Sequence, residues 1–148
     1  MNRRGVLTLL AILPMTAVAR NGSAAVHVFK NADCGCCAGW VKHLQSAGFG
    51  VKVTNVSDTA PVRARLGMPD RYASCHTATI DGYVLEGHVP ASEVRRLIAT
   101  RPAAIGLAVP GMPVGSPGME IGDRVDRYEV LLVPRIGDAT PFARYPKA

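Results

Sequence analysis

The stretch that decides the fold is residues 26–48, which read VHVFKNADCGCCAGWVKHLQSAG. Its first five residues alternate and are rich in β-branched and aromatic side chains, which predicts a strand at Val26–Lys30. Residues 31–33 can turn the chain, and Ala38–Ala47 has the pattern of a helix that ends at Gly48. The turn between strand and helix holds three of the four cysteines of the chain, namely Cys34, Cys36 and Cys37.

Strands and helices continue to alternate along the chain. The further predicted elements are a strand at Val51–Val56, a helix capped by Asp58 or Thr59 and ending at Arg65, strands at Thr77–Ile80 and Tyr83–Glu86, and a helix at Ser92–Thr100. Asp81-Gly82 is a strong signal for a hairpin turn. Pro102–Gly122 is rich in Pro, Gly and Met, which do not sustain regular structure. Tyr128–Val133 predicts one more strand, and the residues after Gly137 form a polar tail.

The resulting β-α-β-α-β-β-α order, with Cys34 and Cys37 between the first strand and the first helix, resembles the thioredoxin-like fold. In that fold the first hairpin strand begins beside the Cys-x-x-Cys turn, so the resemblance brings Cys75 to the other thiols. The hairpin then returns, and His88 is expected on the same side. Thioredoxin-like oxidoreductases carry a proline before this strand, whereas this chain has Ser74-Cys75.

The N-terminus has the pattern of an export signal. Arg3 and Arg4 precede a short apolar run, and Ala17-Val18-Ala19 has the form that signal peptidase accepts. We therefore expect residues 1–19 to be removed and residues 20–148 to form a single exported domain, with no membrane attachment after the signal is removed. The formal net charge of +6 comes with one Trp, four Tyr and three Phe. This composition lacks the stacking platform and dense basic stripe of a nucleic-acid-binding protein.

The clustered cysteines favour a metal site over structural disulfides. A disulfide stabilises most when it closes a long loop, and three cysteines within four residues close only a short one. Thiolates and thioethers select Cu(I), with zinc and iron–sulfur as competitors. Adjacent Cys36 and Cys37 are not expected both to face one ion beside Cys34, and four thiolates around one Cu(I) leave a net charge of about −3, which is costly when partly buried. A site with more than one Cu(I) ion relieves both problems.

Further ligands are expected from a loop and from the returning hairpin. The triplet Pro-Gly-Met occurs at residues 110–112 and again at 117–119, so Met112 and Met119 could fold over the site as thioether ligands or fill an apolar gap. His88 is a candidate ligand at the end of the hairpin. Since successive strand residues face opposite sides of the sheet, one of Cys75 and His76 should point away from the cysteine site. Trp40 is expected to shield the cluster from water.

Two other functions remain open from the residues. Cys34 could attack and Cys37 resolve a mixed disulfide, as in a thiol–disulfide oxidoreductase. Alternatively, the cysteines could hold one structural zinc ion. A copper site near a helix end could also exchange electrons, so copper oxidoreductase activity is an extension of the copper hypothesis.

Four segments together resemble one known family. They are CGCCAGW at residues 34–40, SCHT at 74–77, EGHVP at 86–90 and GLAVPGMPVGSPGME at 106–120. The chain is similar over nearly its whole predicted mature length to the CopG-type periplasmic copper-resistance proteins. The resemblance implies a thioredoxin-like fold, export, copper ions as the bound species, and other periplasmic copper-handling proteins as candidate partners. It implies four copper ligands, namely Cys34, Cys36, Cys37 and Cys75.

Overall fold

A single mixed sheet organises the computed structural model, which describes residues 25–147. The elements in chain order are β1 (Val26–Lys30), α1 (Gly35–Ser46), β2 (Val51–Asn55), α2 (Ala60–Arg65), a 3-10 turn (Asp70–Tyr72), β3 (His76–Ile80), β4 (Tyr83–Glu86), α3 (Ala91–Thr100), β5 (Gly106–Ala108), β6 (Tyr128–Val133) and β7 (Thr140–Tyr145). The strands lie in the order β2-β1-β3-β4-β5-β6-β7. The signal peptide predicted at residues 1–19 lies outside the described residues.

The register of the central strands sets the position of the cysteines. β1 is parallel to β2 and antiparallel to β3, and its last residue, Lys30, pairs with His76 at the start of β3. The turn after β1 therefore lies beside Cys75. β4 returns antiparallel to β3, with Thr77 opposite Glu86, so the chain after β4 reaches the same end of the sheet. The α/β class and the predicted order of elements from β1 to α3 are confirmed.

Apart from shifts of one residue at element ends, the structure differs from the sequence prediction mainly at α1, β5 and β7. α1 begins at Gly35 rather than Ala38, so Cys36 and Cys37 lie in its first turn. A short β5 lies within the Pro/Gly/Met-rich segment, where β4 and β6 supply its hydrogen-bonding partners. The tail after Gly137 contains β7 rather than irregular chain alone. Tyr145 of β7 stacks on Tyr128 of β6, with ring centroids 5.0 Å apart, and this packing stabilises the added hairpin.

The hydrophobic core covers both faces of the central strands. The larger cluster packs α1 and α3 against the sheet and includes the fully buried Trp40, Leu44 and Leu97. The smaller cluster consists of Met68, Tyr72, Val84, Ala108 and Val133. Consecutive strand residues face opposite sides, so Leu85 of β4 contributes to the larger cluster and Val84 to the smaller one. Buried polar side chains on β3 and β4 must therefore find partners inside the protein.

None of the helices among residues 25–147 combines the length and the apolar character that crossing a bilayer requires.

Candidate metal centre

The first turn of α1 supplies three of the four sulfur atoms. Cys34 is the N-cap residue with an extended backbone, and its carbonyl oxygen accepts a hydrogen bond from the Ala38 amide at 3.2 Å. Cys36 and Cys37 follow within the first helical turn, which contains no acidic residue. Free N–H groups and the helix dipole at such a position favour negative charge on nearby thiols.

Cys75 approaches this turn from the residue just before β3. Its Sγ lies 3.4 Å from that of Cys37 and 3.8 Å from that of Cys36. The Sγ atoms of Cys34 and Cys36 are 3.5 Å apart, and all four sulfur atoms lie within 4.8 Å of one another. The structure thus brings together the four cysteines that the sequence selected. The sequence argument that the adjacent Cys36 and Cys37 cannot easily both face one ion beside Cys34 is not supported by this geometry, because the sulfur atoms of both contact that of Cys75.

The cysteines occupy two chemical states in the structure. Cys34 and Cys37 are joined by a disulfide bond, with their Cα atoms 5.3 Å apart. Cys36 and Cys75 are free thiols of intermediate exposure. The oxidised form therefore offers two thiols for binding, and reduction of the disulfide makes all four available.

His88 extends the donor group on the side of Cys75. Its Nε2 atom lies 3.1 Å from Cys75 Sγ, and its Nδ1 atom lies 2.8 Å from the Pro117 carbonyl oxygen. A carbonyl oxygen only accepts, so Nδ1 carries the proton and Nε2 presents its lone pair to the cysteines. The contact with Pro117 thus selects the tautomer in which His88 can act as a ligand.

His76 lies closer to the cysteines than the sequence pattern predicts. Its Nδ1 atom is 3.3 Å from Cys75 Sγ, and the ring packs 4.4 Å from Trp40 and 4.9 Å from His88 between centroids. The expectation that Cys75 or His76 points elsewhere is wrong, because Cys75 precedes the first residue of β3 and the strand alternation does not reach it. Among the described residues, the His76 Nε2 atom is the one buried side-chain nitrogen or oxygen with no hydrogen-bond partner.

Burial sets the protonation states of these side chains. Burial, together with the nearby Cys36, raises the pKa of the Cys75 thiol to about 12. Burial and the neighbouring His88 lower the pKa of His76 to about 3, and burial also lowers the pKa of His88. At neutral pH both imidazoles are uncharged, and a soft metal ion must displace the proton of Cys75 in order to bind it.

The methionine loop, residues 110–119, contains Met112 and Met119, the two candidate thioether ligands, and crosses the start of α1. A Cβ atom at Gly118 would lie 2.5 Å from the Cys36 carbonyl oxygen, so the loop touches the turn that holds the cysteines. Met119 is the next residue and is half-buried. Met112 is 52% exposed and lines a surface depression of about 560 Å³ together with Tyr128 and Leu131. The two methionines therefore occupy different surroundings.

Trp40 closes the inner side of the site. The side chain is fully buried, and its indole N–H donates to the Val89 carbonyl oxygen at 2.8 Å. Its ring packs against His76. Trp40 is therefore both part of the core and a wall that keeps water from the inner side of the donor group.

A buried carboxylate also adjoins the site, and the sequence pattern does not mark it. Glu86 ends β4, is fully buried, and hydrogen-bonds to the Ser74 backbone and the Thr77 hydroxyl on either side of Cys75-His76. Its presence in an otherwise apolar strand, YVLE, is the one signal that could have drawn attention to it.

The fold and the thiol–imidazole group define an α/β protein with a cysteine-rich candidate metal centre. The chain belongs to the family of the copper resistance protein copG. It is 49% identical to a solved structure described as form 2 of "Copper resistance protein copG", with a TM-score of 0.80, over 84% of this chain and 100% of that one. Form 1 of the same protein gives 48% identity and a TM-score of 0.80, over 85% of this chain and 100% of that one.

A family model described as "Protein of unknown function, DUF411" matches residues 72–119. The matched range contains Cys75, both buried histidines and the methionine loop, and it excludes the three cysteines of α1. A comparison with curated proteins finds no match.

Proposed function

We propose that this protein captures Cu(I) at Cys34, Cys36, Cys37 and Cys75 and thereby contributes to copper resistance. The observation that carries the proposal is the approach of all four sulfur atoms to within 4.8 Å of one another. Soft thiolate donors prefer monovalent copper. Homology to copper resistance proteins at 49% identity supports the same assignment.

We further propose that the reduced site holds more than one Cu(I) ion. The sulfur separations of 3.4–3.8 Å accommodate one ion as well as several, so charge provides the argument. Four thiolates beside a fully buried histidine pair require several positive charges to approach neutrality. His88 would complete the donor set with its Nε2 atom.

Anaerobic titration of the reduced protein with Cu(I), against a chromophoric chelator, tests this proposal. We expect more than one copper per chain, and we expect Cys75→Ser to reduce both capacity and affinity. Ser57→Ala, an exposed substitution in the chain segment that follows β2, serves as a control. A stoichiometry well below one copper per chain, or unchanged binding by Cys75→Ser, would contradict the proposal.

The methionine loop is proposed to contribute a thioether ligand or to line the site. Met119→Leu and Met112→Leu test the two residues, and Met68→Leu is the matched control because Met68 is buried in the smaller core cluster. Met119 adjoins Gly118, which touches α1, so we expect the larger loss of Cu(I) affinity for Met119→Leu. Equal affinities in all three variants would assign both residues to packing.

Export to the periplasm is part of the proposal and rests on the pattern of residues 1–19. Mass spectrometry of the protein from a periplasmic fraction would give its N-terminus, with cleavage expected after Ala19 or at Ser23-Ala24-Ala25, a second stretch of small residues that signal peptidase could accept. Recovery of the full-length chain from the cytoplasm would contradict it.

A thiol–disulfide oxidoreductase is a second candidate, because Cys34 and Cys37 form a disulfide at a helix N-terminus. Opening this disulfide by a dithiol takes up two electrons and two protons and leaves the partner oxidised. The reduction of insulin by metal-free protein tests it. We expect little turnover, because Cys75 and Ser74 occupy the position before β3 and Cys75 covers the Cys37 sulfur at 3.4 Å.

A single structural zinc site is the alternative metal hypothesis. Metal analysis of protein expressed without added copper would then give one tightly held zinc per chain. The copper proposal instead requires that Cu(I) displace any zinc and exceed one equivalent.

A further inference from the structure

The segment Ser74–Thr77 carries two of the candidate ligands but belongs only partly to the sheet. β3 begins at His76, so Ser74 and Cys75 lie before the strand. Cys75 Sγ must nevertheless stay within 3.1–3.8 Å of His88, Cys37 and Cys36. Some other interaction has to fix the backbone that precedes the strand.

Glu86 supplies that interaction from the neighbouring strand, β4. Its Oε1 atom accepts a hydrogen bond from the Ser74 amide at 2.8 Å, and its Oε2 atom accepts one from the Thr77 hydroxyl at 2.6 Å. One carboxylate thus bonds to the residue before Cys75 and to the residue after His76. Glu86 belongs to neither group of residues that could ligate a metal ion. Its effect is therefore on the position of the Ser74–Thr77 segment and not on the ion directly.

Arg63 of α2 offsets the free-energy cost of burying the Glu86 carboxylate. Its side chain is 7% exposed and lies 3.3 Å from Glu86 Oε1 and 2.6 Å from the exposed Asp70. Buried ion pairs contribute little net stability compared with apolar residues of similar volume, and their best-attested use is to specify one arrangement. Here the Arg63–Glu86 pair fixes the position of the Ser74 backbone beside the end of β4.

Close packing next to Glu86 supports the same conclusion. Gly87 has a φ angle of +71°, and a Cβ atom there would lie 2.6 Å from the Ser74 side chain and 2.5 Å from the Val109 carbonyl oxygen. Ser74 Oγ in turn donates to the Gly111 carbonyl oxygen at 2.5 Å. Ser74 is therefore held on three sides while Cys75 faces the other cysteines.

We propose that Glu86, held by Arg63, is a positioning residue that fixes Cys75 and His76 for metal binding. This inference rests on the proposed function. It assigns to α2 and β4, which contribute none of the four cysteines, a direct effect on copper affinity. Loss of comparable supporting contacts behind metal ligands costs about 10–100-fold in affinity.

The experiment compares two methionine variants that remove a buried carboxylate at similar side-chain volume. Glu86→Met deletes the contacts to Ser74 and Thr77. Glu93→Met is the matched control. Glu93 is also buried and ion-paired, but it lies on α3 and contacts Tyr145 of β7 and Lys147, away from the cysteines. Cu(I) affinity and the Cu(I)–thiolate emission per bound copper are measured alongside thermal unfolding. We expect Glu86→Met to lose about ten-fold or more in affinity and Glu93→Met to keep wild-type affinity even where its stability falls.

The Glu86→Gln variant separates the effect of the Glu86 hydrogen bonds on copper affinity from the effect of its charge. The amide of Glu86→Gln can still accept from Ser74 and can donate to the Thr77 hydroxyl. We expect it to recover affinity to within about three-fold of wild type. A loss as large as that of Glu86→Met would show that the charge matters instead, and would overturn the positioning role.

A second variant keeps the inference testable if Glu86→Met does not fold. Thr77→Val preserves side-chain shape and the Arg63–Glu86 pair, and removes one hydrogen bond to the segment. We expect a several-fold loss of affinity, and wild-type binding by a folded Glu86→Met or by Thr77→Val would overturn the inference. If wild-type protein itself takes up less than one copper, the proposed function fails instead, so the two failures are distinguishable.

Discussion

His88 shows how one contact can determine the chemistry of a side chain. The proton on Nδ1 is fixed by the Pro117 carbonyl oxygen, and Nε2 is left to face Cys75 at 3.1 Å. The imidazole is buried, which lowers its pKa and keeps it uncharged at neutral pH. The residue therefore presents an uncharged nitrogen with a free lone pair toward Cys75 in the absence of any metal ion.

We expect His88→Gln to weaken Cu(I) binding by about ten-fold, because glutamine cannot place a nitrogen lone pair at the same point. Competition with a chromophoric Cu(I) chelator measures the loss. His27→Gln is the control, since His27 lies on β1 and pairs with the Thr54 hydroxyl. Equal affinities for the two variants would remove His88 from the donor set.

The residues of the site differ in how far the sequence reveals them. Cys34, Cys36 and Cys37 can be selected from their spacing alone. Cys75 is selected through the resemblance to the thioredoxin-like fold, in which the first hairpin strand begins beside that turn. For His76 the sequence prediction is wrong, since strand alternation does not extend to Cys75, which lies outside the strand. An acidic residue in an otherwise apolar strand is the only signal for Glu86, and its role cannot be derived from that signal, because it depends on partners 9 and 12 residues distant and on Arg63 of another element.

At the scale of elements, the Pro/Gly/Met-rich segment packs closely on α1. Gly118 has a φ angle of +87°, and a Cβ atom there would lie 2.5 Å from the Cys36 carbonyl oxygen and 2.6 Å from the Trp40 amide nitrogen. Both the backbone conformation and the lack of space require glycine. The segment therefore forms a cover over the helix turn that carries the cysteines.

We expect Gly118→Ala to displace this cover, with a loss of about 1–3 kcal/mol in the free energy of unfolding and weaker Cu(I)–thiolate emission as water enters. Gly122→Ala is the matched control, because Gly122 also has a positive φ angle, +55°, but a Cβ atom there would meet nothing within 4 Å. Urea denaturation and emission of the copper-loaded protein measure the two effects. Identical behaviour of the two variants would show that the cover does not contact α1 tightly.

The junction between α3 and β7 depends on one buried carboxylate. Glu93 accepts hydrogen bonds from the Tyr145 hydroxyl at 2.8 Å and from Lys147 at 2.9 Å, and it pairs with Arg96 at 2.9 Å. Burial alone would raise the pKa of Glu93, but the hydrogen bonds from Lys147 and Tyr145 and the charge of Arg96 outweigh it and lower the pKa below 4.5.

The lowered pKa of Glu93 predicts an acid-sensitive contribution to stability. Its stabilisation is fully present above about pH 4.5, where the unfolded carboxylate is ionised, and is lost as pH falls through the lower folded value. We expect Glu93→Gln to lose about 1–3 kcal/mol in the free energy of unfolding at pH 7 and less at about pH 3. Urea denaturation at both pH values measures this difference. Glu129→Gln, whose ion pair with Arg144 is exposed, should change little at either pH.

The elements themselves are largely predictable, because apolar periodicity reports burial. β4 and β6 have the predicted bounds, and α3 begins one residue early. β5 and β7 escape prediction for a physical reason. Each is stabilised by pairing with other strands, and neither has enough local pattern to distinguish it from loop.

At the scale of the whole molecule, the oxidation state of the cysteines should control copper uptake. The Cys34–Cys37 disulfide leaves Cys36 and Cys75 as free thiols. We expect the oxidised protein to bind at most half as much Cu(I) as the reduced protein, because two of the four sulfurs are bonded to each other. Titration with and without a phosphine reductant, with thiols counted on each sample, checks this expectation. Equal capacity in both states would contradict a site built from all four cysteines.

The order of strands in the sheet has a consequence for behaviour at high concentration. The outermost strands are β2 and β7, and each carries features that hinder the docking of another chain. Lys52 is exposed on β2, while Pro141 and Arg144 are exposed on β7. Both edges of the sheet therefore resist the addition of a strand from another molecule, and the protein should remain dispersed rather than assemble into fibrils at high concentration.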